Sequence, residues 1–255
     1  MPPRVPVPSD FDALQKTLPH TLHFPSPPES VTAILILLHG LGDTHTSFSS
    51  FAKGMNLPGF LAITVRGTTP LPAALLEGQE EGWHWGDDLT VDQRTGGIDP
   101  DPGFEAARRR IMDDLVDGLL VGQLGWERGD VLFFGYGQGG SLALGMASSL
   151  RSVSRVAEAT SPLSSTPPSL GTFKGIVSIG GPLPNSMIPT LSSRGKSRTR
   201  VLAVQFDDEE LDAAKREFEQ IQAVNWKRRE VGMPRDREEM FPIMKFYAER
   251  LNSGF

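Results

Sequence analysis

The sequence predicts an α/β protein built on a mainly parallel sheet with helices on both faces, and three observations carry that prediction. The unbroken apolar run Ala33–Leu38 and the mostly apolar run Phe60–Val65 have the length of strands buried on both sides. Segments of helical periodicity separate them from further short apolar runs, the alternation that βαβ units produce. Third, Val131-Leu132-Phe133-Phe134 runs into the glycine-dense turn Gly135-Tyr136-Gly137-Gln138-Gly139-Gly140, and a helix of small residues follows. In such a sheet ligands bind beyond the carboxyl ends of the strands.

Each element has its own local reason. After a proline-rich start, residues 10–17 suit a short helix and 21–24 a short strand. Pro25-Ser26-Pro27-Pro28 then turns the chain into the first central strand. Residues 46–55 read as a helix begun by Thr44 or Thr46, with His45 exposed at its start. Residues 66–101 read as irregular. Ile111, Leu115 and Leu119 recur at helical spacing within 104–124, with Arg108, Arg109 and Arg110 facing solvent. The glycine turn joins a strand at 130–134 to a helix at 138–150. Strands are expected at 174–179, 200–205 and 224–228, and helices at 211–221 and 237–251. The Ser/Pro/Thr tract 159–172 reads as a surface loop. The expected organisation is a proline-rich extension over residues 1–30, packed on a single domain over 31–255.

Bulk composition narrows the function. With 255 residues, 38% hydrophobic and 22% charged, the chain suits one domain with a substantial core. A net charge of −6 argues against a nucleic-acid footprint, and the basic run Arg194 to Arg200 reads as a solvated loop. Cysteine is absent, which excludes disulfides, thiolate metal sites and thiol nucleophiles. No His-x-x-x-His spacing appears, so no metal or other cofactor is expected. There is no signal-peptide core and no apolar run of membrane-spanning length, so a cytoplasmic protein without a membrane span is expected.

Three motifs in order carry a resemblance. They are Leu38-His39-Gly40-Leu41-Gly42-Asp43, Trp85-Gly86-Asp87 and Gly135-Tyr136-Gly137-Gln138-Gly139-Gly140. Together they resemble the acyl-protein thioesterase and carboxylesterase family of α/β-hydrolases, over roughly residues 33–251. The resemblance implies an α/β-hydrolase fold and a Ser, Asp, His triad in that order, in which the serine attacks an acyl carbon, the imidazole takes its proton and the carboxylate orients the imidazole. The serine position, at the strained strand-to-helix turn, holds Gly137, which has no attacking atom. The acid's region reads Gln205-Phe206-Asp207-Asp208-Glu209-Glu210, with Glu209 at the matching place and the whole run resembling an acidic first helical turn. The histidine's place falls near Met233, and no histidine follows His84 anywhere in the chain.

The resemblance also implies what remains. The backbone N–H groups of Leu41 and Gln138 would form an oxyanion hole, with His39, Trp85 and Tyr136 around it. The reading is therefore a non-catalytic or very weak thioesterase- or carboxylesterase-like protein, a pseudoenzyme whose pocket takes an acyl, ester-like or acidic small molecule, or an acylated protein. The alternative is an active ester or thioester hydrolase with rearranged residues: Ser141, one helical turn past Gly137, with His39, His45 or His84. Against it, His39 reads as a structural part of its loop, and Ser141 as a small packing residue.

Overall fold

A computed structural model describes residues 3–76, 78–90, 97–151, 171–190 and 195–252. The tract 159–172 lies outside the described residues but for its last two. Among the described residues the strands are β1 (His20–His23), β2 (Ala33–Leu38), β3 (Phe60–Val65), β4 (Thr69–Pro70), β5 (Trp83–His84), β6 (Val131–Tyr136), β7 (Gly175–Ile179), β8 (Val201–Val204) and β9 (Ile221–Val224). The helices are α1 (His45–Met55), α2 (Glu105–Arg108), α3 (Gln138–Ser148), α4 (Asp208–Glu217) and α5 (Arg237–Asn252). Past Arg108, α2 continues as a π-helix over Arg109–Gln123, and nothing in its sequence signals the wider turn.

Seven strands form one sheet in the order β1-β3-β2-β6-β7-β8-β9, all parallel except the antiparallel edge strand β1. β4 and β5 form a separate hairpin. Every residue of β2 and β3 is buried, Thr64 included, because both faces of the sheet are covered. Ile34, Ile36 and Leu38 join the core on one face, where Ile111, Leu115 and Leu119 pack. Ala33, Leu35 and Leu37 join the other, with Phe48, Phe246 and Tyr247.

The strand order reverses at β2. The chain passes from β2 to β3 on one side, then returns to lay β6 on the other. The loops leaving β2 and β6 therefore part at a topological switch point, where parallel sheets open a crevice. Register aligns their ends, with Leu38 opposite both Val65 and Gly135, and Tyr136 opposite Ile179. His39, Arg66, Gly137 and Gly180 consequently stand along one edge.

Four local expectations are corrected. Residues 10–17 form not one helix but a 3-10 turn at Pro8–Phe11 followed by turns closed by three-residue bonds such as Leu14 N–H to the Phe11 carbonyl. Inside 66–101 lies the β4–β5 hairpin. The helix expected at 211–221 starts earlier because Asp207 caps it: its carboxylate accepts from the Glu210 N–H while Glu210 reaches back to the Asp207 N–H. The strand expected at 224–228 is Ile221–Val224. Phe218 is already extended and bridges Ser197, which draws the chain into the sheet sooner. Gln205 Oε1 then takes the Trp226 N–H and the chain leaves the ladder.

Candidate functional site

The turn after β6 is a backbone device. Gly137 adopts φ 51°, ψ −123°, a conformation that L side chains rarely take. α3 approaches β2 so closely that a Cβ at Gly139 would lie 2.3 Å from the Leu38 carbonyl oxygen. At Gly135 a Cβ would fall 2.5 Å from Gly139 O and Gly140 N. Those two glycines are required by close approach. Gly137 is different: a Cβ there would meet only Gly40 Cα, at 3.9 Å. The turn thus points its central residue into open space beside the loop that follows β2.

That loop supplies the second wall. Among the described residues the N–H groups of Leu41 and Gln138 have no hydrogen-bond partner. The Gln138 side chain is committed to the Trp85 segment, its Oε1 accepting the Trp85 N–H at 2.7 Å. The Trp85 indole is fully buried and donates to the His39 carbonyl at 2.8 Å, tying the Trp-Gly-Asp segment under both loops. Tyr136 and Asp43 both crowd Gly40, which has no room for a side chain. Burial raises the Asp43 carboxyl and the Tyr136 phenol above their ordinary ranges.

The histidines are placed as follows. His39 is buried with both ring nitrogens engaged: Nδ1 donates to the Gly40 carbonyl at 2.7 Å, and Nε2 accepts the Gly67 N–H at 2.8 Å. Burial pushes its pKa down to about 4, so the ring is neutral and joins the ends of β2 and β3. His84 is buried, neither of its nitrogens has a partner among the described residues, and burial lowers its pKa. His45 is half-buried rather than exposed; Thr44 caps α1 by accepting the Ser47 N–H. Ser141 is buried in the first turn of α3, behind Gly137.

On the far side of the edge, Glu209 is exposed on the first turn of α4 and Met233 is half-buried against the core. An unforeseen residue governs this region. Arg228 binds Glu239 through Nε and Nη2 at 2.7 and 3.2 Å, and donates to the carbonyls of Glu230, Gly232 and Met233. Its guanidinium lies over the Trp226 ring at 4.6 Å. Glu239, held by Arg228, sits below the usual carboxylate range. Gln205, in the left-handed region at φ 58°, links the two loops through Arg228 O and Trp226 N–H. The sequence carried no signal for this clamp, because one arginine among Lys227, Arg228 and Arg229 looks like any other.

A cavity of about 250 Å³ opens beside the β2 loop, lined by Leu41, Gly42, Leu71, Leu75, Leu76, Gln79 and Ile98. A larger one, about 770 Å³, lies at the amino ends of the strands between Asp117, Trp126, Arg128 and Arg198, remote from Gly137. Position, not size, makes the smaller one the candidate. Among the described residues no His, Asp or Glu cluster is arranged to hold a metal.

A phospholipase/carboxylesterase family model matches residues 22–185. The chain belongs to that family. An uncharacterized hydrolase of Schizosaccharomyces pombe is 35% identical over 159 residues, 62% of this chain and 57% of that protein. One from Mycosarcoma maydis is 34% identical over 113 residues, 44% of this chain and 40% of that protein. The chain spans only about half the length of these relatives. Among solved structures, Zea mays acyl-protein thioesterase 2 superposes with a TM-score of 0.57 at 18% identity, covering 91% of this chain and 98% of that one. A Mesorhizobium loti carboxylesterase gives 0.59 at 15%, covering 91% and 95%. Likeness at these identities is one of fold, and the α/β-hydrolase fold expected for this family member is the one found. No helix among the described residues is long and apolar enough to cross a membrane.

Proposed function

We propose that this family member is a non-catalytic or residual hydrolase whose pocket binds an acyl ligand through its carbonyl or carboxylate oxygen. The observation that carries the proposal is the Gly137 turn. It has the strained conformation that would present a nucleophile, open space in front of it, and no side chain to use either. The free N–H groups of Leu41 and Gln138 are donors for one oxygen, and the leucine-lined cavity accepts a short acyl chain. Relocated chemistry through Ser141 and His39 finds no support: Ser141 is buried, and both His39 nitrogens are spent within the fold.

Three measurements test this reading. A fluorophosphonate probe is expected to leave the protein unmodified, and nitrophenyl butyrate to turn over at the background rate. Hexanoate is expected to bind measurably by calorimetry and to lose binding in Leu75→Asp, which puts a charge among the leucines that line the cavity. Stoichiometric labelling at Ser141, or multiple turnover, would overturn the non-catalytic part. Hexanoate binding unaffected by Leu75→Asp would overturn the pocket.

A further inference from the structure

A second group of side chains stands on the same edge of the sheet, outside the pocket just described. Arg66 directly follows β3 and lies beside His39, whose Nε2 accepts the N–H of the next residue, Gly67. Its guanidinium lies 3.8 Å from the centre of the Trp83 ring. Among the described residues it has neither an ion pair nor a side-chain hydrogen bond. Among the described residues four buried polar atoms here also lack partners: Arg66 Nε, Thr68 Oγ1, Trp83 Nε1 and His45 Nδ1. The first and third can only donate. His45, at the start of α1, feels the charges of Arg66, Glu81 and His20, which places those groups around it.

Unpaired donors such as Arg66 Nε and Trp83 Nε1 are unusual in a folded interior, where buried polar groups are paired. The cation–π stack covers one face of the guanidinium and leaves its N–H edge for a planar or tetrahedral oxyanion. The cluster is also coupled to the β2 loop: Trp83 donates its N–H to the Asp43 carbonyl at 3.1 Å and accepts the Gly42 N–H at 2.9 Å. Gly42 and Leu71, next along the same hairpin, line the leucine cavity.

We propose that Arg66, Trp83, Thr68 and His45 form a phosphate-binding subsite at the end of β3, beside the acyl pocket. Phosphate suits it better than carboxylate because its three terminal oxygens match donors arriving from three elements, the β3 end, the hairpin and α1. The phosphate comes either as the free ion or as the head group of an acyl-glycerol phosphate whose chain enters the leucine cavity. In both cases His20 and Glu81 are the flanking titratable groups.

The test follows the Trp83 indole N–H in a ¹⁵N-correlated spectrum, assigned with Trp83→Phe, while inorganic phosphate is added at constant ionic strength. A saturable shift that chloride does not cause is expected. In calorimetry Arg66→Gln is expected to weaken phosphate about tenfold, and Arg66→Lys to fall between, because it keeps the charge and loses the fork. Glycerol 3-phosphate and its 1-hexanoyl ester distinguish the sources. Tighter binding of the ester assigns a lipid head group, and equal binding assigns the free ion. Hexanoate binding should stay within about twofold in Arg66→Gln, because Arg66 does not line the leucine cavity, so failure of this subsite and failure of the acyl pocket are separable. No saturable shift up to tens of millimolar, or unchanged phosphate binding in Arg66→Gln, overturns the proposal.

Discussion

The loops that follow β2 and β6 and the loops that follow β8 and β9 line the same edge of the sheet, yet they are held in opposite ways. On the first side the shape is made by backbone. Gly135 and Gly139 let α3 touch β2, Gly137 turns the chain with a positive φ, and neutral His39 ties strand end to strand end. On the second side the shape is made by side chains: the Asp207–Glu210 capping box, the Gln205 bridge, and Arg228 with its carboxylate and three carbonyls. A backbone-built wall asks no contact of the side chain at its centre. A side-chain-built wall commits its groups to structure.

If that contrast is right, the largest effect belongs to the backbone side. Gly139→Ala drives a Cβ into the Leu38 and His39 carbonyls and is expected to cost about 3 kcal/mol or to prevent folding. Urea unfolding checks it, and a near-neutral result would mean that α3 shifts freely on β2.

Next comes acid. His39 in the folded chain takes a proton only near pH 4, against 6.5 for an ordinary histidine. Between those values the unfolded state holds more protons, so stability is full above the window and falls as pH drops through it, by about 3 kcal/mol in all. Burial shifts His20, His45 and His84 the same way and steepens the fall. Unfolding free energies measured across the window would expose a flat profile, which would exclude a buried neutral His39.

Gly137→Ser fits the open space but strains its φ, so a loss of roughly 1–3 kcal/mol is expected. Nitrophenyl ester hydrolysis should rise little over that of the unsubstituted protein without a base. Adding Met233→His should raise the rate further; equal rates for the single and double variants would mean that another base already serves the turn.

The smallest effect concerns the far wall. Arg228→Gln leaves three carbonyls and Glu239 without their cation and should loosen residues 230–235 while sparing β6 and α3. Faster proteolytic cleavage confined to that loop is expected, and global destabilisation would assign Arg228 a wider part.

Much of this is legible in the sequence. Ala33–Leu38 and Phe60–Val65 are readable to the residue, since apolar runs of that length, broken only by Thr64, admit few structures. The Gly135 to Gly140 turn was readable because its glycines answer to local geometry. The boundaries of α4 and β9 were not, because a reciprocal cap and a bridge from Ser197 outweighed residue preference there. Composition likewise settled that no histidine follows His84.

Folding alone decided the partnerships. Nothing local marks Arg228 for Glu239, Arg66 for Trp83, or the Gly67 N–H for the second nitrogen of His39. Periodicity and turn chemistry act over a few neighbours and are written in the chain. Hydrogen bonds, stacked cations and cavities join residues distant along it, and they exist only once the sheet has set which strand ends lie side by side.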